Sequence, residues 1–82
     1  MRSSLKMILD LCKLRPGQIA RLHAVQGTGP FRRRLMEMGL LPGTTVRLVR
    51  SGAVSDLVEL EVRGMLLSVR REDAQGLSVE VP

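Results

Sequence analysis

His23 and Cys12 are the single histidine and single cysteine of the chain. As a nucleophile and its base they need mutual contact and a third group to orient the base. The eight acids supply no such group, because they fall mainly in turns or on the wet face of a strand. His23 therefore reads as a solvent-facing strand residue and Cys12 as a small buried hydrophobe. Metal chemistry has no better footing, since no Cys-x-x-Cys, His-x-x-x-His or carboxylate cluster occurs. Met36 and Met38 offer soft sulfur donors, but Met38 shares a helix face with Leu35 and belongs to a core. Weak coordination by His23 with a nearby carboxylate would be incidental. No phosphate-cradling G-x-x-x-x-G-K-[ST] loop is present either. These residues predict a non-enzymatic chain with no cofactor.

The remaining chemistry is surface charge. Eleven Arg and two Lys against eight acids give a formal charge of +5, which suits nucleic acid, anionic membrane or an acidic protein face. Arg32-Arg33-Arg34 is the unusual feature, because cations in a first helical turn oppose the helix dipole at a few tenths of a kcal/mol each. The row has two readings: a solvated face with Glu37 paired to Arg33 or Arg34, or a binding surface for an acidic partner or phosphates.

The elements that position this row are legible around it. Thr28 or Gly29 can cap a helix, and Pro30 suits its first turn, where a missing N–H has no partner to lose. Phe31, Leu35 and Met38 at i, i+4 and i+7 form one apolar stripe. Gly39 can take the left-handed conformation that stops the helix, with Leu40 folding back on Leu35. Leu41-Pro42-Gly43-Thr44 has Pro second and Gly third, the chemistry of a type II turn leading into a strand. The device occurs twice. Leu14-Arg15-Pro16-Gly17-Gln18-Ile19-Ala20-Arg21-Leu22 matches Leu40 to Leu48 at Leu, Pro, Gly, Arg and Leu in order.

Residues 1–10 read as a partly ordered lead-in with at most a helical turn around Leu5 to Leu9, and residues 11–82 as the domain. Strand 18–25 points Ala20 and Leu22 inward and Arg21 and His23 outward; Ile19 shares the outward parity and is expected beneath a neighbouring segment. Strand 45–50 turns Val46 and Leu48 inward. Residues 51–56 are a turn. Val58, Leu60 and Val62 alternate with Glu59, Glu61 and Arg63, as in a strand wet on one face. Arg63-Gly64 makes a tight hairpin, Met65, Leu67 and Val69 face inward, residues 71–75 make a helical turn, and Leu77, Val79 and Val81 a final strand. The fold predicted is mainly β: a small SH3-like antiparallel barrel of about five strands with one short helix after the first.

Eighty-two residues make one domain that buries only about 60 to 65% of its unfolded surface, so large ligand cavities are not expected. One Phe, no Trp and no Tyr leave almost no flat surface for stacking bases, which counts against nucleic acid. The first ten residues lack the apolar run of a signal peptide, and no segment approaches the ~20 apolar residues of a membrane span. A cytoplasmic location is expected, and with one cysteine no internal disulfide can form.

Phe31-Arg32-Arg33-Arg34-Leu35-Met36-Glu37-Met38-Gly39-Leu40-Leu41-Pro42-Gly43-Thr44, with Val62-Arg63-Gly64-Met65-Leu66-Leu67-Ser68-Val69-Arg70 and Asp73-Ala74, resembles the FeoA family over about residues 11–81. Departures are a 51–57 loop without the prolines common in the family and Met65 where an aromatic is frequent. The resemblance implies a small cytoplasmic SH3-like accessory protein of bacterial ferrous iron uptake. Its partner would be FeoB, a membrane transporter with a cytoplasmic GTP-binding domain, and it would meet the membrane only through that partner. Two alternatives are a small basic barrel that binds nucleic acid, and a detached regulatory domain of a metal-dependent repressor of the diphtheria toxin repressor type. No helix-turn-helix precedes the domain in this sequence. For docking, successive helical residues lie ~100° apart, so at least two of the three arginines must reach solvent near the 41–43 turn. Arg32, Arg33 and Leu41 are therefore the expected partner-binding residues.

Overall fold

Both Pro-Gly turns close as their chemistry requires. The Gln18 amide donates to the Arg15 carbonyl (2.9 Å) and the Thr44 amide to the Leu41 carbonyl (3.0 Å), while Gly17 (φ 87°) and Gly43 (φ 93°) take the left-handed conformation a side chain resists. The structure, a computed structural model, describes residues 7–26, 29–52 and 56–81, without the side chain of Phe31. The predictions for Leu5, Thr28, the Phe31 side chain and the 53–55 part of the loop lie outside the described residues.

Six strands form one antiparallel sheet. They are β1 (Met7–Asp10), β2 (Ile19–Val25), β3 (Thr45–Ser51), β4 (Leu57–Val62), β5 (Met65–Arg70) and β6 (Leu77–Val81). The order across the sheet is β1-β6-β2-β3-β4-β5. A 3-10 turn (Leu11–Lys13) follows β1, helix α1 (Gly29–Glu37) follows β2, and helix α2 (Arg71–Ala74) follows β5. One strand more than expected comes from residues 7–10, which pair with β6 from Met7 opposite Val81 to Asp10 opposite Ser78. Their loose apolar spacing gave no local sign of this, because the partner lies at the other end of the chain. The two sheet ends meet through α2, which packs on β4, β5 and the 3-10 turn. The Cys12 thiol there faces the Arg71 carbonyl at 3.9 Å.

The inward faces meet in one core. Leu11, Leu22, Leu35, Leu40, Leu48, Leu60 and Leu77, with Val46, Val58, Val62 and Val79, are essentially inaccessible, and no charged or polar side chain among the described residues is buried with them. Each such side chain contributes roughly 1.5–3 kcal/mol by leaving water. Two bulges adjust the alternation: the register of β2 on β6 shifts between Leu22 and Ala24, and that of β3 on β4 between Leu48 and Arg50. The extra residue in β2 returns Val25, rather than Ala24, to the core.

Helix α1 ends in a Schellman motif. The Leu40 amide reaches back to the Leu35 carbonyl (3.0 Å) and the Gly39 amide to Met36 (3.1 Å), with Gly39 at φ 101°. Leu35 is buried and Met38 packs against the core. Two parity expectations fail. Ile19 is 57% exposed, not covered by a neighbour, and Met65 is 55% exposed, not inward. Met65 opposes Val62 in the last pair before the hairpin, beyond the reach of the core on the edge strand, whereas Leu67 is half-buried and Val69 buried.

Candidate functional site

The two Pro-Gly units pack against each other as near-equivalents. Ile19, Ala20 and Arg21 pair with Arg47, Val46 and Thr45. The Gly17 amide donates to the Leu48 carbonyl (2.6 Å) and the Gly43 amide to the Leu22 carbonyl (2.7 Å). Leu48 donates to Gln18 (3.1 Å) and Leu22 to Thr44 (2.8 Å). Each bond has its counterpart in the other unit, so an approximate two-fold axis passes near the Ala20–Val46 pair. Both units bury their first leucine, Leu14 and Leu40, and their last, Leu22 and Leu48. They differ on the outer face: Arg15 corresponds to Leu41, and Ile19 to Thr45.

That difference shapes an open groove. Ile19, Leu41, Pro42, Thr45, Arg47, Glu61 and Arg63 line it. In its floor the Arg47 guanidinium reaches the Glu61 carboxylate at 2.6 Å and 2.7 Å. Both partners are over a third exposed, so solvent screening holds the pair to at most about 1 kcal/mol. Arg63 stands at φ 54°, the one described non-glycine residue at positive φ. With Gly64 at φ 78° it forms a two-residue hairpin turn of the type where Asn-Gly or Gly-Gly is usual. A longer side chain there costs about 1 kcal/mol of backbone strain.

The expected docking residues fall in two places. Arg32 and Arg33 are exposed on α1 and line a shallow depression with Gly29, Met36 and Glu37. Leu41, 38% exposed, lines the sheet groove instead. The pairing of Glu37 with Arg33 or Arg34 is not formed: among the described residues the ion pairs are His23–Glu80, Arg47–Glu61, Arg50–Glu59 and Arg71–Asp56. The cations of α1 therefore stand without an acidic partner among the described residues. Sequence reasoning missed Ile19 and Arg63. Their signals were an isoleucine at outward parity and an arginine in a hairpin position suited to Asn or Gly.

The other chemical candidates stay apart. His23 Nδ1 lies 3.5 Å from the Glu80 carboxylate. Cys12 is half-buried beside Asp10, whose carboxylate accepts the Cys12 amide at 3.0 Å. Burial first, and then the Asp10 charge, push the Cys12 thiol pKa above its ordinary value, with Arg71 opposing. Among the described residues no three His, Cys, Asp or Glu side chains converge on a metal position, and no helix is long and apolar enough to cross a membrane.

The FeoA domain model matches residues 9–81, nearly the whole chain. The chain belongs to the FeoA family. A solution structure of FeoA from Chlorobium tepidum is 34% identical and superposes with a TM-score of 0.83, covering 89% of this chain and 70% of that one. A Porphyromonas gingivalis (strain ATCC BAA-308 / W83) protein described as an Fe(2+) transport protein A/Fe(2+) transporter FeoB fusion protein is 37% identical over 73 residues. That match covers 89% of this chain but only 9% of the relative's length. A manganese-dependent transcriptional repressor superposes with a TM-score of 0.81 at 13% identity, over 93% of this chain and 42% of that one; at that identity the likeness shows the fold alone. The mainly β, SH3-like architecture is thus that of FeoA structures, and this FeoA domain is a non-enzymatic accessory domain.

Proposed function

We propose that this FeoA domain is a cytoplasmic module of ferrous iron uptake that docks on the cytoplasmic GTP-binding domain of a FeoB-type transporter and assembles or regulates it. The Porphyromonas gingivalis fusion carries the reading, since a stretch 37% identical to this chain is there part of one polypeptide with FeoB. Joining two modules raises their mutual concentration to the order of millimolar, an arrangement suited to domains that act on each other. The uncompensated Arg32 and Arg33 and the exposed Leu41 supply what an interface uses: rim charge to steer encounter and an apolar surface to hold it.

The test is co-purification of the host's full-length FeoB-type transporter in nanodiscs with the FeoA chain. Arg32→Glu with Arg33→Glu, and separately Leu41→Asp, should each weaken docking about tenfold or more. The arginine reversals should leave stability within ~0.5 kcal/mol, as exposed charge changes do. Docking unchanged by both sets would move the interface to another face.

A further inference from the structure

The outer face of β2 to β5 carries apolar side chains where a wet sheet face ordinarily carries polar ones. The strand register places Ile19, Arg47, Glu61 and Leu66 in one row across four strands. Ile19 and Leu66, its ends, are 57% and 66% exposed. The charges between them neutralise each other at 2.6 Å. Leu41 lines the same groove as Ile19, so two exposed apolar side chains face one depression. Around them Arg21 and Arg63 are exposed and have no acidic partner among the described residues. The approximate two-fold axis relates Ile19 to Thr45 and Leu41 to Arg15, so each apolar side chain of the groove has a polar or basic counterpart.

This groove is held before anything binds. The turn that presents Leu41 is tied to β2 by Gly43 to Leu22 (2.7 Å) and Leu22 to Thr44 (2.8 Å), and Arg63 is fixed by the hairpin at φ 54°. A preformed surface avoids the ordering cost of association. An arginine kept in a conformation that favours Asn or Gly is an outlier consistent with a use for its side chain. A second copy of the chain would bring another +5 charge against this face. Nucleic acid would find almost no flat aromatic surface for stacking, as Phe31 is the chain's single aromatic residue.

We propose that the groove takes an extended acidic segment of the partner protein, seating one large apolar side chain between Ile19 and Leu41 and a carboxylate on Arg63. The identity of that partner rests on the transporter reading above. Arg63→Asn removes the charge and relieves the left-handed backbone, so the variant should melt no lower than the parent while docking to the nanodisc transporter weakens about tenfold and loses part of its salt dependence. Ile19→Ser should weaken docking similarly without loss of a core contact. Docking reduced by Arg32→Glu with Arg33→Glu, but intact in Arg63→Asn and Ile19→Ser, overturns the groove and leaves the transporter reading standing. No docking by the parent chain overturns both. A photo-crosslinking p-benzoylphenylalanine in place of Ile19 should capture a transporter peptide rich in Asp and Glu. Capture of a second FeoA chain, of a non-acidic transporter segment or of an added 20-mer oligonucleotide overturns the assignment.

Discussion

Replacing Gly39 with alanine isolates the cost of one backbone conformation. Gly39 stands at φ 101°, and a Cβ built there has no neighbour within 4 Å, so the substitution introduces strain without a clash. Holding an L-residue in the left-handed region costs about 1–2 kcal/mol. Against this, alanine restricts the unfolded chain and returns about 0.4–1 kcal/mol. The net expectation is a destabilisation of about 1 kcal/mol, which for a domain of this size lowers the melting temperature by about 4–8 °C. Gly39→Asn should lose less, because asparagine tolerates this conformation at helix ends. Gly76→Ala is the contrasting case: its φ lies outside the left-handed range, but a Cβ would sit 3.3 Å from the Gln26 carbonyl oxygen and 3.5 Å from that of Asp73. There asparagine should give no rescue. The assay is thermal unfolding of the full chain followed by circular dichroism. A Gly39→Ala variant that melts at or above the parent, or a Gly39→Asn variant no better than alanine, would refute the left-handed cap as the reason for glycine at this helix stop.

Three further outcomes are expected. The Cys12 thiol has a folded pKa above its unfolded value, so its contribution to stability is complete below the ordinary thiol range near pH ~8.5 and is lost as pH rises through the folded value. Urea midpoints from pH 7 to 10 should show an alkaline decline that Cys12→Ser lacks, and iodoacetamide should react faster with Asp10→Asn than with the parent. Glu61→Gln should cost less than about 1 kcal/mol, because both partners of its pair with Arg47 are over a third exposed. Repeating that denaturation in 1 M salt should shrink the difference. Iron(II) should bind the chain no tighter than tens of micromolar, an order-of-magnitude expectation from the lack of a ligand cluster among the described residues; anaerobic calorimetry finding a submicromolar one-to-one site would contradict it.

Local chemistry determined what the sequence showed by itself. The turns at Pro16-Gly17 and Pro42-Gly43, the stop at Gly39 and the hairpin ending in Gly64 each depend on one or two residues, a proline whose ring fixes φ or a glycine free to take positive φ. The alternation in β4 and the inward Leu77, Val79 and Val81 of β6 were legible for a similar reason, since a strand with one buried face must place apolar residues at every second position. Arg32 and Arg33 could be named as exposed because the helical stripe left them no inward direction, and Leu41 because it opens the Pro-Gly turn that follows the helix. Tertiary structure decided what depends on distant residues. Met7 to Asp10 became a strand because Ser78 to Val81 lies beside it. The bulge in β2 re-aimed Val25 only once β6 was its neighbour. Ile19 lies open because its cross-strand neighbour Arg47 turns to Glu61, leaving no segment to cover the isoleucine. Turn geometry is fixed by a few bonds within four residues, whereas burial is a property of whatever the rest of the chain brings across the sheet.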